Sequence, residues 1–77
     1  MTYVLRVERV ALFFAGQSGV PQWSVFSENA IHYRDQWHAI DDAKRESLYS
    51  QPPLVIELVD HGTDIVVRRI KLGRVIE

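Results

Sequence analysis

Residues 35–53 read DQWHAIDDAKRESLYSQPP, and this stretch decides how the rest of the chain is interpreted. Asp35 is a favourable N-cap. The two prolines at 52 and 53 stop a helix, because the residue before a proline avoids the α conformation. The stretch therefore predicts a helix over residues 36–49. Ser27 is an alternative N-cap that would give one longer helix, and we prefer the later start.

The two faces of this predicted helix follow from its 3.6-residue period. The inner face is predicted to comprise Trp37, Ile40, Ala43 and either Ser47 or Leu48. The solvent face is predicted to comprise Asp41, Asp42, Lys44, Arg45 and Glu46.

The sequence on either side predicts two β-hairpins. Before the helix, residues 3–14 are rich in β-branched and aromatic side chains, GQSGVP at 16–21 predicts a turn, and residues 22–27 resume a strand. After the helix, strands are predicted over residues 54–60 and 64–72, with a tight turn at 60–63. Residues 73–77 either extend the last strand or fray. The order ββαββ predicts an α+β fold in one domain of residues 1–77, with a four-stranded antiparallel sheet and the helix on one face.

The apolar pattern of residues 3–14 changes parity at the pair Glu8–Arg9. Positions 3, 5 and 7 are apolar before the pair, and positions 10, 12 and 14 are apolar after it. Either a bulge at this pair re-phases the strand, or its second half is apolar on both faces.

The predicted sheet carries more apolar side chains than one helix can cover, so its second face is expected to be partly apolar. A face of several large apolar side chains exceeds what monomers usually expose. The leading hypothesis is therefore a non-enzymatic interaction module that forms a homodimer, or binds another protein, through this face. The residues predicted to form the interface are Leu12, Phe14, Phe26, Val59 and Val66.

The aromatic residues support a second hypothesis, a small-molecule pocket between helix and sheet. Trp23, Tyr33 and Trp37 are the predicted lining residues, and Tyr49 is a further aromatic residue near the helix end. The same side chains also suit the core of a domain this small.

Basic residues near the end of the sequence support a third hypothesis, a regulatory module that binds nucleic acid. Its candidate residues are Arg68, Arg69, Lys71 and Arg74, which are also typical of a protected sheet edge. The net charge of the 77-residue chain is −1, so nucleic acid is a disfavoured partner.

No constellation typical of an enzyme or a metal site is present in the sequence. The spacing of His32, His38 and His61 fits no zinc motif, and no cofactor is expected. GQSGV at 16–20 lacks the second glycine of a nucleophile elbow. Glu57, inside an apolar strand, is predicted to pair with Arg68 or Arg69 across the hairpin.

The chain has no cysteine, which excludes a disulfide scaffold. No targeting segment or membrane span is visible, so a cytoplasmic location is expected. The order ββαββ, with Ala39-Ile40-x-x-Ala43 in the helix, resembles the antitoxin partners of some toxin–antitoxin pairs. That resemblance covers residues 20–70 and assigns no functional residue.

Overall fold

A computed structural model of the chain describes residues 2–10, 12–18 and 20–77, which form one helix and one antiparallel sheet. The elements are β1 (Tyr3–Val7), β2 (Phe13–Ser18), β3 (Val20–Ser24), α1 (Gln36–Tyr49), β4 (Val55–Asp60), β5 (Ile65–Lys71) and β6 (Arg74–Val75). The strand order is β3-β2-β1-β4-β5-β6. The predicted α+β class, antiparallel sheet and single helix are confirmed. The prediction of four strands is wrong, because the described residues form six.

The bounds of α1 agree with the prediction from its capping signals. The Asp35 carboxylate accepts a hydrogen bond from the Trp37 backbone N–H at 2.9 Å, so Asp35 is the N-cap. Ser27 instead begins a single 3-10 turn, Ser27–Asn29. The later helix start is therefore confirmed.

The prediction of one strand over residues 3–14 is wrong, because the chain reverses in the middle of this segment. Arg9 has φ 65, and the Val7 N–H donates to the Leu12 carbonyl at 2.9 Å. β1 therefore ends at Val7 and β2 begins at Phe13, while Ala11 lies outside the described residues. The change of parity at Glu8–Arg9 marks a turn, which neither of the two expected alternatives included.

The turn predicted over residues 16–21, and the strand predicted over 22–27, are also displaced. β2 continues to Ser18 and β3 begins at Val20, while Gly19 between them lies outside the described residues. The β2–β3 register shifts between Phe14 and Gly16, and Gly16 has φ 148. Only glycine adopts that conformation easily, so Gly16 allows the bulge within a strand.

The second predicted hairpin is confirmed to within one residue at each strand end. After β5 the chain turns back through Leu72 (φ 51) and Gly73 (φ 76) into β6. Two consecutive residues of positive φ are typical of a two-residue hairpin turn. Residues 73–77 therefore neither extend β5 nor fray.

The core lies between α1 and one face of the sheet. It comprises Leu5, Phe14, Tyr33, Ala39, Ile40, Ala43, Ile56, Leu58 and Ile70. Ile40, Ala43 and Ser47 are buried in α1 as predicted. Trp37 and Leu48 are exposed, and Glu46 is only 7% exposed. The predictions for Trp37 and Glu46 are wrong, because Ala39, Ala43, Glu46 and Ser47 face the sheet and Trp37 is thereby turned away from it. Of the two alternatives Ser47 and Leu48, Ser47 is the buried residue.

Strands β1 and β2 pair through Arg6 and Phe13 and then separate. Residues 31–33 fill the gap: Ile31 N–H donates to the Phe14 carbonyl at 3.0 Å, and Tyr33 exchanges two backbone hydrogen bonds of 2.8 Å with Tyr3. On the sheet face opposite α1, Ala30 packs with Val4 and Val59. The connection before α1 therefore covers part of the second sheet face.

The position of Phe14 gives a direct test of the fold. Phe14 is 1% exposed, and losing a buried phenylalanine side chain costs about 3–5 kcal/mol. Burying the unpaired carboxylate of the new aspartate adds to that cost. The total free energy of unfolding of a domain of this size is only roughly 5–10 kcal/mol. We therefore expect Phe14→Asp to abolish cooperative thermal unfolding as followed by circular dichroism.

Phe26, at 58% exposure, provides the control. Phe26→Asp should retain the fold, and a folded Phe14→Asp variant would contradict this core.

Candidate functional site

A cleft of about 240 Å³ lies between β3 and the end of α1. We call it the Trp23–Tyr49 groove. Trp23 comes from β3, Glu46 and Tyr49 come from the last turn of α1, and the α1–β4 connection completes the wall. Among its lining residues are Trp23, Glu46, Tyr49, Ser50, Pro52 and Leu54.

The indole of Trp23 is held in place from within the sheet. Trp23 pairs with Phe14 in the β2–β3 register, and the two ring centroids are 5.3 Å apart with planes tilted by 58°. Phe14 is itself in the core. One side of Trp23 is therefore anchored to the folded domain while the residue also lines the groove.

Glu46 places a carboxylate in this groove, although its residue is only 7% exposed. In the described part of the chain, no hydrogen bond or ion pair reaches this carboxylate. Burial raises the pKa of the Glu46 carboxyl above its ordinary value, Arg45 opposes the shift, and Asp42 adds to it. Arg45 is itself held by Asp42 at 2.5 Å. The groove thus contains a partly desolvated acid with no protein partner among the described residues, and its carboxylate oxygens keep some solvent-accessible surface.

Ser50 fixes the connection that forms the far wall. Its hydroxyl donates to the Ser47 carbonyl at 3.1 Å and accepts from the Leu54 N–H at 3.1 Å. Both hydrogen-bonding roles of the hydroxyl are therefore used to hold the chain between α1 and β4. Tyr49, beside it, is 77% exposed, so its ring is free of the core.

The three aromatic residues predicted to line one pocket lie in three different places. Trp23 lines the groove, but Tyr33 is buried and donates its hydroxyl hydrogen to Asp42 at 2.6 Å. Burial and this hydrogen bond raise the pKa of Tyr33 far above its ordinary value. Trp37 is 66% exposed in the first turn of α1. The predicted pocket of Trp23, Tyr33 and Trp37 is therefore not formed, and sequence reasoning missed Glu46.

Charged side chains occupy the middle of the sheet face opposite α1. Glu57, 6% exposed, pairs with Arg6 at 3.1 Å and with Arg69 at 3.5 Å. Arg69 also pairs with Glu8 at 3.3 Å and with Glu77. The predicted cross-strand partner of Glu57 is confirmed as Arg69. This part of the second face is therefore ionic, in agreement with the predicted pairing of Glu57.

The five residues predicted to form an interface do not share one open face. Phe14 is in the core beneath α1, and Val59 is 1% exposed beside Ala30. Val66 is partly buried against the same small cluster. Leu12 is partly buried in the β1–β2 connection, and Phe26 is exposed before the 3-10 turn. The expected surface is divided because Phe14 lies on the α1 side of the sheet, while Val59 and Val66 pack with Ala30 on the other side.

The four basic residues predicted to contact nucleic acid also differ in their surroundings. Arg69 is engaged by three carboxylates, and Arg68 donates to the Val67 carbonyl at 2.9 Å. Lys71 and Arg74 are exposed and opposite each other in the β5–β6 register. Of the four, Arg69 is therefore the one that carboxylates of the same chain neutralise among the described residues, and nucleic-acid binding stays a prediction.

Two histidines that the sequence analysis treated separately are in contact. The ring centroids of His32 and His61 are 4.6 Å apart. Within residues 2–10, 12–18 and 20–77, no group of three or more histidine, aspartate or glutamate side chains is arranged to hold a metal ion. The pair therefore supplies two ligands at most, and we assign it no role.

No protein-family model, curated protein or solved structure matches the chain. In the described residues, the helix lacks the length and apolar character needed to cross a bilayer. The antitoxin resemblance rested on the order ββαββ, which differs from the six strands observed. Assignment of function therefore depends on the geometry of the Trp23–Tyr49 groove.

Burial of Glu46 predicts a pH-dependent effect on stability. A carboxyl whose pKa is raised by folding favours the folded state below its unfolded pKa, and that contribution is lost as pH rises through the folded pKa. Glu46→Gln should therefore be more stable than the wild type at pH 7, with the difference vanishing by about pH 4. Urea unfolding of both proteins at the two pH values measures this difference in the free energy of unfolding. Asp41→Asn, exposed on the same helix, is the control and should show no such difference. If Glu46→Gln were less stable than the wild type at pH 7, the carboxyl could not be both buried and unpaired.

Proposed function

We propose that the protein is a small non-enzymatic binding module whose site is the Trp23–Tyr49 groove. The observation that carries this proposal is the buried Glu46 carboxylate, which lines the groove and has no partner in the described residues. Desolvating a carboxylate without a partner opposes folding. Binding sites are where natural proteins tolerate such unfavourable features.

The composition of the groove supports a binding role. Ligand sites combine apolar and aromatic walls with a few placed polar groups, and here Trp23, Tyr49 and Leu54 surround Glu46. The volume of about 240 Å³ is slightly below the roughly 300–1,000 Å³ of drug-sized sites. The groove therefore suits a small molecule or a single side chain of a partner.

Chemical catalysis has no support from the groove. Tyr49 and Ser50 are the hydroxyl-bearing residues in its described lining, and the hydroxyl of Ser50 is occupied by the Ser47 carbonyl and the Leu54 N–H. A nucleophile needs a base within hydrogen-bond reach, and the Ser50 hydroxyl instead donates to a backbone carbonyl. Binding without reaction is thus the function we assign.

The proposal is tested with Trp23 as its own reporter. Trp37→Phe removes the exposed second indole, leaving one indole N–H signal in proton–nitrogen NMR spectra. A fragment library of amines, carboxylic acids and neutral rings is then screened. We expect at least one member to shift both the Trp23 indole and the amides of residues 50–54. Tyr49→Ala should weaken that binding about fivefold or more, as loss of one aromatic contact does. A library that shifts none of these signals would contradict the proposed site.

Self-association is a second candidate function, and the conformation of Leu72 favours it. Leu72 is 50% exposed and has φ 51, a conformation that costs a non-glycine residue about 1 kcal/mol or more. Asparagine or glycine serves such a turn better. Nearby, Leu48 lies against Gly73, and Leu72 and Ile76 line a cleft of about 420 Å³. These exposed apolar side chains, at the end of the sheet, are the surface we propose for contact with a second copy.

The substitution Leu72→Asn separates self-association from folding, because asparagine tolerates the left-handed conformation. Light scattering behind a sizing column should give the wild type twice the 8.9 kDa of one chain. Leu72→Asn should give the mass of one chain and still unfold cooperatively, because asparagine relieves the strained backbone at this position. Val25→Asn, at a residue that is 62% exposed in another part of the chain, should stay dimeric. A monomeric wild type would eliminate this candidate and leave the groove proposal intact.

A further inference from the structure

We infer that the Trp23–Tyr49 groove accepts a monovalent organic cation carried on an apolar stem, either a free alkylamine or alkylguanidine or the side chain of a lysine or arginine. This inference rests on the proposed function and names its class of ligand. The observation behind it is the juxtaposition of one buried carboxylate with two aromatic rings in a small open cleft.

The charge of the groove selects a cation. Among the lining residues that the structure describes there is no lysine, arginine or histidine, and Glu46 is the only carboxylic acid. Arg45, the adjacent base on α1, is held at 2.5 Å by Asp42. An anion would meet an unpartnered carboxylate, whereas a cation would supply the missing partner.

The buried position of Glu46 makes that pairing effective. Attraction between charges is stronger where water is excluded, but desolvation of both ions usually offsets it. Here folding has already removed part of the water around Glu46, since the residue is 7% exposed while its carboxylate oxygens keep some accessible surface. The ligand therefore meets a partly desolvated and preorganised charge, which lowers the cost of desolvating the protein's side of the pair. Desolvation of the ligand and its lost translational and rotational freedom still oppose binding.

The walls of the groove suit the rest of such a ligand. Trp23 and Tyr49 line the same cleft as Glu46. A cation near an aromatic face gains about 0.5–2 kcal/mol, depending on how well water is excluded. Pro52 and Leu54 add apolar surface for methylene groups. A compact inorganic cation would use the carboxylate but none of these surfaces.

The test compares ligands of one shape and different charge. In the Trp37→Phe background, n-butylammonium, n-butylguanidinium, n-butanol and butyrate are titrated while the Trp23 indole signal is followed. We expect both cations to bind at least tenfold more tightly than n-butanol, and butyrate to bind more weakly than n-butanol. N-acetyl-lysine N-methylamide is titrated in the same way to represent a lysine side chain in a peptide. Affinity equal to or above that of n-butylammonium identifies a peptide source, and lower affinity identifies a free amine.

The Glu46 carboxylate is then tested directly. Glu46→Gln should lose about tenfold in affinity for n-butylammonium while its affinity for n-butanol stays the same. Asp41→Asn, which removes an exposed carboxylate from the same helix, should bind like the wild type. Since Glu46→Gln is expected to fold at least as stably as the wild type, its lost affinity reports on the carboxylate.

The possible failures are distinguishable. If n-butanol binds as tightly as n-butylammonium, or Glu46→Gln keeps its affinity for the cation, the inference about charge is overturned and the binding site remains. If neither these probes nor any member of the fragment library shifts the Trp23 or 50–54 signals, the proposed function fails together with the inference.

Discussion

One helix must cover a six-stranded sheet, and this constraint governs the rest of the structure. Six strands spaced about 4.8 Å apart span roughly 24 Å, whereas a helix with its side chains is about 10 Å wide. α1 packs chiefly on β4, β5 and β1, near the middle of the sheet. Both sides of the helix therefore leave sheet surface uncovered. On one side this leaves the Trp23–Tyr49 groove, and on the other it leaves the exposed leucines near the β5–β6 turn.

On the sheet face opposite α1, the exposed apolar surface is reduced in two other ways. Residues 31–33 bond to β1 and β2 between these strands, and Ala30 packs on this face against Val4 and Val59. Farther along the sheet, Glu57 lies between Arg6 and Arg69. Buried charges persist in a sheet only when they are paired in this way. The domain therefore limits its apolar surface without a second helix, and Glu46 is the buried carboxylate that differs by having no such partner in the described residues.

The sequence predicted α1 to the residue because several independent signals agree there. Asp35 supplies a cap, the apolar spacing supplies a period, and the two prolines supply a stop. The second hairpin was predictable for similar reasons. The first hairpin was not predictable. Arg9 adopts a positive φ that its residue type does not predict, and Gly16 marks a bulge within a strand where a turn was expected.

The candidate site was predictable in part. Trp23 was named as a ligand contact and Tyr49 as a further aromatic residue, because exposed aromatic rings are informative in a small chain. Glu46 was assigned to solvent because it lies in a run of charged helix residues. Its burial depends on how far α1 rotates to seat Ala39 and Ala43 on the sheet, and that rotation is a property of tertiary packing. A run of charged residues predicts that a helix has a solvent-exposed face, but it does not show which of those residues faces the sheet.

The most direct test of the account is a carbon-13 NMR titration of the Glu46 side-chain carboxyl, with and without saturating n-butylammonium. The account predicts a pKa above the ordinary glutamate value in the free protein, because the carboxyl is desolvated. It also predicts a lower pKa in the presence of the cation, because a bound positive charge stabilises the carboxylate. An ordinary pKa that does not change with the cation would contradict both the burial of Glu46 and its role in binding.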